Sequence, residues 1–421
     1  MLRLGLILIL LTAPLPAMAA QWEVPAEPGA LTRALERAAA GDRLLLAPGT
    51  HQGPIVIDRP LTLEGGGQAT IEGNGQGSVV TVAAPDVTLR DLTIVGSGSS
   101  HETIDSGVSL GRKAARAMVE GNRLLGNLYG VDIHGARDAR VSANVIEGRR
   151  DHRVNQRGNG VYVWNAPGAL VEGNDVRWGR DGIFVNTSRK NTFRNNRFRE
   201  LRFAVHYMYA DDSEVSGNLS IGNDLGFAVM FSKRVRVTDN VSIGDAEHGI
   251  MLNYANSSQV SGNLVRGGEN RCLFLYNAHK NRVEGNRFEG CDIGIHFTAG
   301  SERNAITGNA FLGNRTQVKY VGSRWLDWSA EERGNHWSDF AAYDVDGDGI
   351  ADTPYRPNDQ MDHILWTQPA AKLLLGAPAV QLVRWAQSAF PALLPGGIVD
   401  SRPLMQPVEI PVPDWEARHD G

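Results

Sequence analysis

From about residue 118 onward, apolar and polar residues alternate in short runs, each interrupted by Gly-Asn or a close relative. The runs are VEGNRL, VSANVI, VEGNDV, FRNNRF, VSGNLS, VTDNVS, VSGNLV, VEGNRF and ITGNAF. Their asparagines are Asn122, Asn144, Asn174, Asn196, Asn218, Asn240, Asn263, Asn286 and Asn309, spaced by 22 or 23 residues and once by 30. The longer interval is an ordinary repeat plus eight inserted residues within RRDHRVNQR, Arg149 to Arg157. A fixed period of this size means a solenoid, in which each repeat can bury its apolar face only against its neighbours. The LxxLxLxxN run of a leucine-rich repeat is absent. Short strands rich in Val, Ile and Phe between Gly and Asn turns predict an all-β chain, a right-handed parallel β-helix with one coil per repeat. The asparagine is expected to take the left-handed turn position and to hydrogen-bond to the asparagine of the next coil in a ladder.

About nine residues after each asparagine comes a longer alternating strand. Aligned, these strands give two apolar columns. One holds Val131, Val161, Ile183, Val205, Phe227, Ile250, Leu273 and Ile295, the other Ile133, Val163, Val185, Tyr207, Val229, Leu252, Leu275 and Phe297. These are the expected interior. Side chains alternate across a strand, so the intervening columns face outward. The first reads Asp132, Tyr162, Phe184, His206, Ala228, Met251, Phe274 and His296; the second reads His134, Trp164, Asn186, Met208, Met230, Asn253, Tyr276 and Thr298. His206, Met208, Met230 and Met251 therefore cluster on one outward face. Thioethers are soft ligands that select Cu(I), and imidazole also suits copper. His134 and His296 are secondary positions on the same face. The competing readings are methionine as a gap-filler and the surrounding aromatics as a protein-docking surface or a sugar platform.

The ends of the chain read differently. The first nineteen residues, MLRLGLILILLTAPLPAMA, have the basic start, apolar run and small-residue close of a secretory signal peptide. The segment LTRALERAAAGD places Leu31, Ala34, Leu35 and Ala38 on one helical face. That helix is expected to cover the open end of the solenoid, an exposed sheet edge otherwise. Strands from RLLLA to VTLRDLTIV add three or four further coils, and the β-helix is expected to span 20–330. A cap over 331–362 contains DVDGDGIAD. Asp344, Asp346, Asp348 and Asp352 fall at positions 1, 3, 5 and 9 of a Ca²⁺-type loop, with the Ile350 carbonyl at position 7 and Gly349 at the sharp turn. Tyr355 stands where the usual glutamate would be, so a structural clamp is expected rather than a sensor. Residues 363–421 read as apolar helices broken by prolines, suited to docking, followed by an extended tail.

Composition adds little. A net charge of −5 gives no reason to expect nucleic acid as a partner. The two cysteines, Cys272 and Cys291, lie in neighbouring coils but differ by three residues in the aligned repeat. On a straight strand that is about 10 Å, too far for a disulfide without a bulge. The Arg149–Arg157 insertion is expected to project as a basic loop. The outward columns offer Asp132 as their one carboxylate, whereas glycoside hydrolysis needs two on one face.

Together, the capping helix with AGDRLLLAPGTH, the Gly-Asn coils, GNHWSDFAAYDVDGDGIADTPY and the LWTQPAAKLLLGAPAVQLVRWAQ stretch resemble the NosD family. The coils alone are shared with many carbohydrate-binding and sugar-hydrolase β-helices, and the C-terminal stretch is the most specific part. The resemblance implies a periplasmic, non-enzymatic protein that helps to mature nitrous oxide reductase. It implies an ABC transporter (ATPase and permease) and a copper chaperone lipoprotein as partners, membrane contact only through a partner, and copper delivery to the reductase. It assigns no catalytic residue; the copper positions come from the repeat alignment. The alternative reading is a β-helix carbohydrate-binding protein, lyase or hydrolase.

Overall fold

The structure is a computed structural model that describes residues 19–298, 300–322, 324–368, 370, 377–389 and 396–411. The apolar leader through Met18 lies outside the described residues. The chain forms a right-handed parallel β-helix. A typical coil has two short strands and a long one, as in Glu214–Ser216, Leu219–Ile221 and Leu225–Met230. The long strands stack into a 12-stranded parallel sheet, and the short ones belong to a 24-stranded sheet that forms the other walls. Eight long strands matter here: β1 (Tyr129–His134), β2 (Val161–Trp164), β3 (Asp181–Arg189), β4 (Phe203–Asp211), β5 (Leu225–Met230), β6 (His248–Asn253), β7 (Arg271–Tyr276) and β8 (Ile293–Thr298). Their pairing register is the alignment read from the sequence. Val205 sits opposite Ile183 and Phe227, His206 opposite Phe184 and Ala228, and Met208 opposite Asn186 and Met230. Both apolar columns are interior, and Tyr207 is the largest fully buried side chain among them.

The asparagine ladder is present along the described coils. Asn218 donates from both its main-chain N–H and its Nδ2 to Asn240 Oδ1, at 3.0 and 2.9 Å, and its Nδ2 also reaches the Phe193 carbonyl at 2.9 Å. The same pattern runs from Asn122 through Asn144, Asn174, Asn196, Asn240, Asn263 and Asn286 to Asn309. The asparagine does not itself take the left-handed conformation expected of it. The preceding residue does: Gly217 at φ 61°, Asp239 at 56°, Asn195 at 55°. Glycine before asparagine therefore divides two tasks, the first turning the chain and the second satisfying it.

The ladder continues one rung beyond the sequence reading. Asn309 Nδ2 donates to Asn335 Oδ1 at 2.9 Å. Asn335 N–H in turn donates to the buried carboxylate of Asp400 at 2.6 Å, and Trp337 Nε1 donates to the same oxygen at 2.8 Å. Asp400 is held in place because Gly397–Val399 pairs with Trp325–Asp327. At the other end, α1 (Ala30–Arg37) buries Ala30, Leu31 and Leu35 as expected but stops before Ala38. There the Asp42 carboxylate takes the N–H groups of Ala20 and Ala39 and Nε1 of Trp22.

Two expectations are corrected. Cys272 and Cys291 form a disulfide with Cα atoms 5.7 Å apart. The three-residue offset does not run straight along a strand. It is folded around the corner after Gly290, whose φ is 68°, and the Cys291 N–H is anchored to Asn314 Oδ1 at 2.9 Å. The Arg149–Arg157 insertion does not project freely either. Arg149 turns back and donates to the carbonyls of Ser97 and Gly98 at 3.0 and 2.7 Å.

The described part of the C-terminal region holds α2 (Gln360–Thr367), begun by a reciprocal Asp359–Asp362 cap, and α3 (Pro378–Ala389), which exposes Leu382, Val383 and Trp385. No described helix is long and apolar enough to cross a membrane.

Two measurements test this account. Asn240→Ala strands two buried donors of Asn218, so the urea midpoint should fall by the equivalent of about 3 kcal/mol, while Arg140→Ala on the exposed surface should change little. The second concerns Asp245, which accepts from Ser220 Oγ, Ser242 Oγ and Asn223 N. Burial lifts its carboxyl from 3.8 to about 6. The folded chain then holds this proton more tightly than the unfolded chain. Its contribution is fully present below pH 3.8 and lost as pH rises through about 6. Unfolding free energy measured across that window should rise on acidification in the parent relative to Asp245→Asn.

Candidate functional site

Strand β4 carries the centre of the outward face. Val205 and Tyr207 lock into the core, which forces His206 and Met208 to the other side. His206 is nonetheless only 8% exposed, because the rings of Phe184 and Phe203 lie against it at 4.8 and 4.6 Å. Its Nδ1 is 3.2 Å from Asp181 Oδ2. Asp181 is buried and held by Arg202 through two hydrogen bonds of 2.8 and 2.7 Å. Burial works against the Asp181 charge, but His206 and Arg202 outweigh it and hold the carboxyl below its ordinary value. An ionised carboxylate only accepts, so Nδ1 carries a proton toward Asp181. Nε2 is buried and has no partner. A carboxylate fixing one imidazole nitrogen while the other is left open is the arrangement of a metal-ligating histidine and its supporting acid.

The thioethers stand where the alignment put them. Met208 and Met230 are paired neighbours on β4 and β5, and Met251 lies two coils from His206 across Ala228. All three are half-buried. Adjacent coils are about 4.8 Å apart, so Met208 and Met230 are within easy side-chain reach of each other, two residues along the strand from the His206 column.

The secondary positions differ. His296 Nδ1 accepts from Arg271 Nε at 2.9 Å. Burial and then Arg271 push its pKa down to about 4, so the ring is neutral with that lone pair already engaged. His134 stacks on Trp164 at 4.3 Å, with Nδ1 4.0 Å from Asp132 Oδ1. Burial raises the Asp132 carboxyl to about 7. Neither histidine is drawn into the His206 cluster. The sequence reading missed Asp181, Arg202 and Phe203 beside His206, and His248 beside Arg271. Asp181, Phe203 and His248 share one column two or three residues before the outward strands, where the chain bends into the strand. Extending the alignment backward by one turn would have found it.

The aspartate loop is folded as its spacing suggested. Asp344 accepts the N–H groups of Gly347 and Gly349 at 2.7 and 2.8 Å. Oxygens of Asp344, Asp346 and Asp348 lie within 4.8 Å of one another, the one such cluster of three acidic, His or Cys ligands among the described residues. Asp352 instead accepts from Val345 N, and Ile350 bridges to Leu404 of the tail.

Comparison with known proteins adds the family. A model described as periplasmic copper-binding protein (NosD) matches residues 142–342. A Pseudomonas aeruginosa protein named as a probable ABC transporter binding protein NosD is 42% identical over 88% of this chain and 90% of its own length. This chain belongs to the NosD family. A second NosD, from Stutzerimonas stutzeri and with the same printed description, is 39% identical over 87% of each chain. Among solved structures, an exopolygalacturonase from Thermotoga maritima has a TM-score of 0.57 at 12% identity over 69% of this chain and 91% of its own. The PfbA adhesin of Streptococcus pneumoniae has the same TM-score and identity over 70% and 88%. At such identity these two share the fold with this NosD-family chain and nothing further.

Proposed function

We propose that this chain is an exported, non-enzymatic copper-handling protein of the periplasm. In this reading it supplies or positions copper for the maturation of nitrous oxide reductase, together with an ABC transporter and a copper chaperone lipoprotein. The family description and the relatives named as transporter-binding proteins support the setting. The observation that carries the site is the buried Nε2 of His206, which has no partner among the described residues, on a ring held by Asp181 through Nδ1 and sharing its outward face with Met208 and Met230. One imidazole and two or three thioethers form a soft set that favours Cu(I) over harder divalent ions. His206, Met208, Met230 and Met251 form the primary set, with His134 and His296 as positions along the same face. The exposed apolar residues of α3 suit attachment to the transporter's membrane subunit. The aspartate loop is read as a Ca²⁺ clamp, since hard carboxylate oxygens converge there.

An anaerobic Cu(I) competition titration against a chromogenic chelator tests the copper reading. The mature protein should bind, and a variant with alanine at His206, Met208, Met230 and Met251 should lose that binding while keeping its β-type circular dichroism and cooperative melt. Equal binding in both would sink this face as the copper site. For the clamp, millimolar Ca²⁺ should raise the melting temperature of the parent but not that of Asp344→Asn/Asp346→Asn. Equal shifts in both proteins would rule the loop out.

A further inference from the structure

From β1 through β7, the corner that closes the outward alternation is left-handed. Gly135, Asn165 and Asn277 fill it with residues that favour such geometry. In the middle coils the same corner is filled by Tyr209, Phe231 and Tyr254, at φ 51°, 49° and 50°. Bulky side chains adopt this conformation at a cost, and these three give up burial as well, being 54%, 39% and 43% exposed. Their rings stack on one another at 5.2 Å, tilted by 18° and then 9°. Ring faces are thus turned toward neighbouring rings, and edges meet solvent. A sugar needs a free face to stack on; a protein surface needs a continuous apolar strip. Tyr209 and Phe231 directly follow Met208 and Met230, so the strip borders the candidate copper face.

The same edge changes character toward the N-terminus. A groove of about 470 Å³ is lined there by Arg112, Arg137, Arg189 and Lys190 around Gly135 and Gly168, with Asp138 as its one acid. Among the described residues, none of these four cations has an ion pair within 4 Å or a side-chain hydrogen bond. Further along the edge the arginines are neutralised, Arg234 by Asp212 and Arg236 by Glu214. A chain with net charge −5 therefore keeps a groove of net positive charge, four cations to one acid, beside an exposed Tyr/Phe strip. Arg, Tyr, Phe and Met are the residues enriched in protein interfaces.

We propose that this edge docks a folded protein bearing an acidic cluster beside an apolar patch, and that this protein exchanges copper with the Met–His face. The docking stands on the edge itself; the exchange rests on the copper reading above. Charge complementarity brings the partner in, and the aromatic strip seats it within ligand reach of Met208 and Met230.

The test uses the mature chain and two purified probes, the soluble domain of the copper chaperone and copper-free nitrous oxide reductase. Two double variants are compared with the parent: Arg137→Glu/Arg189→Glu in the groove and Phe231→Asn/Tyr254→Asn in the strip. Asparagine suits the left-handed corner, so the second variant should melt no lower than the parent. The parent should bind at least one probe, more weakly as salt rises, and each variant should bind at least about ten-fold more weakly. Cu(I) affinity should be unchanged in both. A parent that binds neither probe, or variants that bind like the parent, would overturn the dock. So would an oligouronate that binds the parent and not the groove variant while protein binding is unaffected, which would assign the groove to anionic glycans. A parent that docks through this edge but holds no Cu(I) would support the dock and sink the copper reading alone.

Discussion

The structure depends on satisfying the backbone at one repeated corner. Each coil turns sharply between its two short strands, and that turn leaves buried main-chain groups with no strand partner. One asparagine per coil donates to the asparagine of the next coil and to a carbonyl of the coil before it, and accepts from the asparagine of that preceding coil. Leaving such groups unpaired costs about 1–3 kcal/mol each, multiplied by every coil. Because each rung bonds to its neighbour, the ladder also fixes vertical alignment. A coil that slipped by one residue would break its rung and turn its whole apolar column to the surface. Even the interval of 30 residues between Asn144 and Asn174 is bridged by an ordinary rung of 2.9 Å.

Fixed alignment is what makes a site possible on a surface with no cleft. His206, Met208, Met230 and Met251 belong to three coils spread over more than forty residues, and only rung-by-rung stacking puts them together. The site's second support is local. Asp181 comes from the coil before His206, and Arg202 from the turn that introduces β4, so the acid that orients the imidazole is itself clamped by the approaching chain. Phe184 and Phe203 then exclude water from the ring. The face is thus part core and part surface, with one imidazole buried and three half-buried methionines in the neighbouring positions of the same face.

The architecture was legible because its signal is periodic. The asparagine spacing predicted the coils, and the alternation predicted which of Val205, His206, Tyr207 and Met208 turn inward; both hold in the structure. What periodicity does not encode is what happens at corners. The bend at Gly290 brings Cys272 and Cys291 together, although a straight-strand count kept them apart. The left-handed residue proved to be the one before the asparagine. Asp181 was invisible as a partner of His206 because it precedes the alternating stretch of its own strand. Burial of His206 beneath two phenylalanines was likewise out of reach of a rule that sorts side chains only into inward and outward. In the aspartate loop the local spacing brings Asp344, Asp346 and Asp348 together, whereas Asp352 accepts from Val345 and Ile350 pairs with Leu404.

Asp400 gives the solenoid a property that its repeats alone would lack. Each coil pairs with its neighbours in the stack, so coils can assemble in order, each one templating the next. The final rung is different. Asn335 waits for a carboxylate 65 residues farther along the chain, and until that carboxylate arrives the last coil presents an open, bondable edge. A chain without Asp400 would leave the Asn335 N–H and the Trp337 indole without their shared acceptor.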